Sequence, residues 1–100
     1  MKKKKLKIDF IPEAINDIEE TKKWYNKQKQ GLGDEFVEEL GNTIESIKNN
    51  PYTYARKYKE MRQAKTKRFP YLISYIKEQL GVVVLSVLHG KRDTKKFKER

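Results

Sequence analysis

Between residues 82 and 88 the chain reads Val-Val-Val-Leu-Ser-Val-Leu, and Ser86 is the single polar side chain in that run. Successive side chains of a strand point to opposite faces, so an apolar run without alternation needs shielding on both. The segment therefore reads as an interior strand, and the rest of a 100-residue chain has to build a sheet around it and cover that sheet. Residues 71 to 77 supply a partner strand. Tyr71, Ile73 and Tyr75 would share one of its faces, and Leu72, Ser74 and Ile76 the other. Residues 78 to 81, ending in Gly81, read as the hairpin turn between the two.

The cover is written upstream. Residues 6 to 10, Leu-Lys-Ile-Asp-Phe, alternate as a half-buried strand does. Pro12 suits the first turn of a helix, where its missing N–H is not needed. Ile11, Ile15, Ile18 and Tyr25 then recur at helical spacing, with Asp17, Glu19, Glu20, Lys22 and Lys23 on the other face. Gly31-Leu32-Gly33 interrupts the pattern, and Asp34 is placed to cap a second helix. Its stripe is Phe36, Val37, Leu40, Ile44 and Ile47, and Asn49-Asn50-Pro51 stops it. Residues 54 to 59 and 64 to 69 read as short basic strands. The expected fold is α+β, in the order β-α-α-β-β-β: an antiparallel sheet with a two-helix hairpin packed on one face. It forms a single domain over residues 1–100, with basic tails at about 1–5 and 94–100. Two helices cover one face only. The other face of the last strand is left either to a partner chain or to aromatic rings and lysine stems of the chain itself.

Charge narrows the partners. Lys and Arg number 24 against 14 Asp and Glu, a formal net charge of +10. Such an excess favours nucleic acid, a ribosome or an acidic protein. Part of it lies in the terminal runs, but cations also cluster from residue 56 to residue 68. The chain has no cysteine and one histidine, which excludes disulfides and cysteine-based zinc sites; neither a metal nor a cofactor is expected. No apolar run approaches the roughly 18 residues that span a bilayer. Asp9 and Glu13 interrupt any signal-like segment, so a cytoplasmic protein is expected.

Several short sequences, taken in order, resemble a known family. They are Ala14, Asp17-Ile18, Trp24-Tyr25, Gly31-Leu32-Gly33, Phe36, Leu40, Ile44, Ile47, Asn50-Pro51, Arg68-Phe69-Pro70-Tyr71, Tyr75, the run 82–88, His89 and Arg92. From about residue 6 to residue 93 the chain resembles the RelE/ParE superfamily, the toxin halves of bacterial type II toxin–antitoxin modules, often described as plasmid stabilisation proteins. The resemblance implies the fold derived above. It also implies a cognate antitoxin that is short, acidic and partly disordered, and that would cover the bare side of the sheet. On this reading Tyr71, Ile73, Tyr75, Val83 and Leu85 are the expected antitoxin-binding residues.

The superfamily divides by target. RelE-like members cut mRNA in the ribosome without a metal, and ParE-like members poison DNA gyrase. Metal-independent RNA cleavage needs an activated 2′-oxygen, a stabilised phosphorane and a protonated leaving oxygen. By resemblance Arg92 matches an active-site arginine, and Lys65, with Lys67 beside it, stands near the family's paired lysines. The second arginine falls at Leu72, and Phe97 and Lys98 occupy the region of the C-terminal tyrosine, so the RelE pattern is broken at two places. Histidine is the side chain suited to moving protons near neutral pH, so His89 is a candidate substitute acid–base. Strict alternation would place it on the face of Val83, Leu85 and Val87. The alternative is a strand-end histidine bonded to backbone or antitoxin. Arg62, Arg68 and Lys91 are candidate contacts to a target or a phosphate. Trp24 and Tyr25 read as helix-packing residues rather than a base-stacking platform. Tyr52, Tyr54 and Tyr58, among Arg56, Lys57 and Lys59, suit either stacked bases or an edge strand guarded by charge. A gyrase-directed toxin, a ribosome-dependent endoribonuclease and an inactive toxin-like binding protein are the three functions these residues allow.

Overall fold

The structure is a computed structural model that describes residues 6–90. The elements are β1 (Lys7–Phe10), α1 (Pro12–Gln28), α2 (Leu32–Asn49), β2 (Arg56–Tyr58), β3 (Met61–Lys65), β4 (Tyr71–Glu78) and β5 (Gly81–His89). The strands form one sheet in the order β1-β5-β4-β3-β2. The α+β class stands, and so does the helical hairpin on one face. Two points of the expected topology change. First, all four strand segments read downstream of the helices form strands, one more than the order β-α-α-β-β-β counts. The third expected strand begins earlier, at Met61, because residues 66 to 70 are held in a tight turn: Thr66 Oγ1 lies 3.3 Å from Tyr71 O and also bonds Phe69 O. Second, the sheet is mixed. β1 pairs with β5 in parallel, Lys7 beside Gly81 and Phe10 beside Val84, whereas every other ladder is antiparallel. Alternation in β1 marks which side chains are buried but carries no information about strand direction.

The hairpin turns at Gly31, whose φ of 86° lies in the left-handed region that a side chain disfavours. Gly31, not Asp34, is the N-cap of α2; Asp34 and Glu35 sit in its first turn, where their charge suits the positive helix end. Gly33 lies against α1. Its N–H donates to Asn26 Oδ1 at 2.7 Å, and a Cβ there would come within 2.2 Å of Lys22 O.

The core lies between helices and sheet. It holds Ala14 from α1, Phe36, Leu40 and Ile47 from α2, Ala64 from β3, Ile73 and Tyr75 from β4, and Val82, Val84 and Val87 from β5. Two of those spacings reveal a bulge. Tyr75 faces Val84 and Ser74 faces Ser86, so Leu85 is the extra residue on β5. Beyond it the alternation inverts. Val87 and His89 join the helix side, while Val83 stays on the opposite face. The expected placement of His89 with Val83 is therefore wrong for a definite reason. A second side chain is also redirected. Asp17, expected on the solvent face of α1, reaches the bulge and accepts the N–H of Val87 at 3.1 Å. A bulge interrupts its ladder, and the carboxylate supplies an acceptor there.

Candidate functional site

The face of the sheet away from the helices is built by alternation along three strands. β3 contributes Met61, Gln63 and Lys65, which pair with Ile76, Ser74 and Leu72 of β4. Those in turn pair with Val83, Ser86 and Leu88 of β5. The result is an apolar strip with a polar centre. Gln63 Nε2 donates to Ser74 Oγ at 3.2 Å. The Ser86 hydroxyl is buried and has no hydrogen-bond partner among the described residues. Met61 and Leu88 are buried although neither belongs to the helix-side core. Val83 and Leu85 are half-buried. Tyr71, Ile73 and Tyr75, expected to meet an antitoxin, face the helices instead; Ile73 and Tyr75 are sealed in the core, and Tyr71 is buried except where it borders the hollow beside α1.

The candidate cations disperse. Arg62 is on the helix side of β3, facing Tyr75. Its guanidinium donates to Tyr54 O at 2.7 Å and lies 5.1 Å from the Tyr52 ring centroid. It therefore clamps the segment that leads from α2 into β2. Lys67 and Arg68 both direct their backbone N–H groups to Glu39 Oε2, at 2.6 and 2.9 Å. The Arg68 guanidinium pairs with Glu35 and covers the Phe69 ring at 5.0 Å. These contacts tie the β3–β4 turn to α2. Lys65 is exposed at the end of β3. Lys91 and Arg92 lie outside the described residues.

His89 ends β5 opposite Tyr71, with their ring centroids 5.6 Å apart. It borders two hollows. One, of 310 Å³, is shared with Lys65, Pro70, Leu72 and Gly90. The other, of 620 Å³, is shared with Glu20, Thr21, Trp24, Tyr25 and Tyr71. Of the four expected catalytic residues the fold thus brings Lys65 and His89 to one hollow. Lys67 borders a different hollow, on the α2 side, together with Glu39, Thr43, Tyr54 and Lys65 again, so Lys65 stands between the two hollows and His89 and Lys67 do not share one. One lysine and one imidazole supply a charge and a proton-transfer group. Two cations that could complete a phosphate site, Arg62 and Arg68, are occupied by the contacts above.

The aromatic residues divide. Tyr25 packs edge-on to Phe69 at 5.0 Å and against Phe36 at 5.7 Å, as expected of a helix-packing residue. Burial, together with the neighbouring Tyr71, pushes its phenol up in pKa. Trp24 departs from expectation: it is 56% exposed. The pairing of Glu20 and Trp24, four residues apart on one helix face, was the signal that could have marked this second hollow. Tyr52 and Tyr58 are covered by the cations Arg62 and Lys59, and Tyr54 Oη bonds Ser46 Oγ at 2.8 Å. With β2 at the sheet margin, this is a charged edge strand.

Among the described residues, no three His, Cys, Asp or Glu side chains are grouped so as to hold a metal ion. No helix of the described residues is long and apolar enough to cross a membrane. No curated protein matches the sequence. The fold is similar to a chain of the chromosomal ParDE toxin–antitoxin system from P. aeruginosa, with a TM-score of 0.74 at 10% identity over 84% of this chain and 95% of that one. At that identity the likeness speaks for the fold. The sequence profile of the ParE toxin of the parDE type II toxin–antitoxin system matches residues 8–94. With the β1-α1-α2 hairpin, the mixed sheet and that match all in hand, the chain belongs to the ParE toxin family of type II toxin–antitoxin systems.

Proposed function

We propose that this protein is a growth-inhibiting toxin that acts on DNA gyrase and is neutralised by an acidic antitoxin seated on the open face of its sheet. The observation that carries the gyrase reading is the commitment of its cations. The Arg62 and Arg68 guanidiniums hold the fold together rather than joining the lysines at a phosphate. A protein target needs no such convergence. The antitoxin's seat is the half-buried strip of Leu72, Ile76, Val83 and Leu85. A charge of +10 speeds the approach of an acidic partner.

Purified chain added to gyrase in a supercoiling and cleavage assay should accumulate cleaved DNA, and induced cells should lose thymidine incorporation before methionine incorporation. Arg92→Ala should leave much of that inhibition in place. Early loss of methionine incorporation with intact gyrase activity would refute the reading. The ribonuclease alternative is favoured by one observation, the hollow shared by Lys65 and His89. On that alternative Lys65→Ala, His89→Ala and Arg92→Ala each abolish toxicity together with mRNA cleavage.

A further inference from the structure

The 620 Å³ hollow between α1 and the ends of β4 and β5 meets the readings of the target only in His89, one of its lining residues. Its chemistry runs against that of the chain. The molecule carries a net +10, and each of the other four hollows described is bordered by a lysine or arginine. This one has neither among its described lining residues, and it does have a carboxylate, that of Glu20. Asn16 Nδ2 donates to Glu20 Oε1 at 3.1 Å from one turn earlier, which positions the carboxylate. Among the described residues, Glu20 takes part in none of the four ion pairs.

The remaining walls are π faces and acceptor oxygens. Trp24 stands 56% exposed, with its ring centroid 5.1 Å from that of Tyr25 in an edge-on arrangement. Tyr25 and Tyr71 lie 6.1 Å apart, and the His89 ring stands edge-on to Tyr71 at 5.6 Å. Leaving a tryptophan this exposed forgoes apolar burial, and no packing role explains it. The two phenols, the Thr21 hydroxyl and the Glu20 carboxylate can all accept hydrogen bonds.

A carboxylate beside aromatic faces binds a flat cation. Guanidinium stacks on an indole and donates in a fork to a carboxylate, whereas ammonium does only part of this. We propose that this hollow receives an arginine side chain of a protein partner, with the guanidinium stacked on Trp24 and paired with Glu20. A nucleobase could also stack on Trp24. Its flanking phosphates, however, would meet a carboxylate here with no described cation lining the hollow, so the observations favour arginine.

Trp24 is the only tryptophan, so the full-length chain reports on the site by its own fluorescence. The probes are N-acetyl-arginine methylamide, its lysine counterpart and adenosine monophosphate. The arginine probe should shift or quench the Trp24 emission saturably, several-fold more tightly than the lysine probe. Glu20→Gln, at an exposed position, should weaken that binding about tenfold. Three results would overturn the site itself, and a fourth its occupant. The first is no saturable response to the arginine probe. The second is an unchanged affinity in Glu20→Gln. The third is tighter binding of the mononucleotide that Glu20→Gln improves. Tighter arginine binding by Arg92→Gln would show that the chain's own arginine competes for the hollow, and would overturn the partner as its source.

Discussion

Replacing Tyr75 by phenylalanine removes a single oxygen from the interior, and its consequences can be worked out in two independent ways. The Tyr75 side chain is fully buried, and its hydroxyl donates to the carbonyl of Pro51 at 2.6 Å. That bond fastens the exit of α2 to the middle of β4. The ring survives the substitution and still fills its place beside Tyr54, at 6.5 Å. What is lost is the donor, and Pro51, itself buried, keeps an acceptor with nothing to accept. Leaving a buried acceptor unsatisfied costs about 1–3 kcal/mol, against a total stability of roughly 5–15 kcal/mol for a small domain. The melting temperature should fall by about 4–8 °C for each kcal/mol in a domain of this size. Urea unfolding followed by circular dichroism should show a lower midpoint with an unchanged slope.

The second consequence is a pH dependence. Burial pushes the Tyr75 phenol up from 10.0 to about 12; the Arg62 charge opposes the shift and Tyr54 adds to it. The folded state therefore holds this proton more tightly than the unfolded chain does. Its contribution is fully present below pH 10 and is lost as the pH rises from about 10 through about 12. Stability measured across that window should fall more steeply for the native chain than for Tyr75→Phe, and Tyr25, also raised, sets a common background. Equal slopes in the two proteins, or a loss under about 0.5 kcal/mol at neutral pH, would refute the reasoning, because the hydroxyl would then be neither isolated from water nor the carbonyl's sole donor.

Four further expectations concern the same framework. Asp17→Ala strips the β5 bulge of the acceptor for Val87 N–H and should lower stability by about 1–2 kcal/mol, read from the urea midpoint. Gly33→Ala sets a Cβ 2.2 Å from Lys22 O and should cost about 1–3 kcal/mol by forcing the helices apart. Gly41→Ala, in the same helix with nothing within 4 Å, should instead be neutral or stabilising, and this contrast is what thermal melts would check. Lys59 turns the β2–β3 corner at a φ of 51°, so Lys59→Asn should raise the melting point slightly, a gain of about 0.5 kcal/mol.

How much of this was legible beforehand depends on the kind of interaction. Residues 12 to 49 announce their own structure, because helical periodicity, Pro12, the Gly31-Leu32-Gly33 break and Asn50-Pro51 are all local signals. The interior position of β5 was legible from its apolar run, since it pairs with β4 on one side and β1 on the other. The family resemblance rested on the same landmarks, and the profile match bears it out. Strand direction was not legible, because alternation is the same in parallel and antiparallel ladders. Nor was the face of any residue beyond Leu85. One bulge reverses the alternation, and it is stabilised by Asp17, a residue 70 positions away in sequence. That reversal moved His89 to the helix side. Tyr71, Ile73 and Tyr75 turned toward the helices for a related reason, since a strand with apolar residues on both faces does not say which face the helices will take. The engagement of Arg62 and Arg68 likewise depends on where Tyr54 and Glu35 come to lie. Periodicity and turn chemistry, which act between near neighbours, settled the elements and their order in the sequence itself. The directions, the faces and the fate of each cation were decided only when distant segments closed on one another.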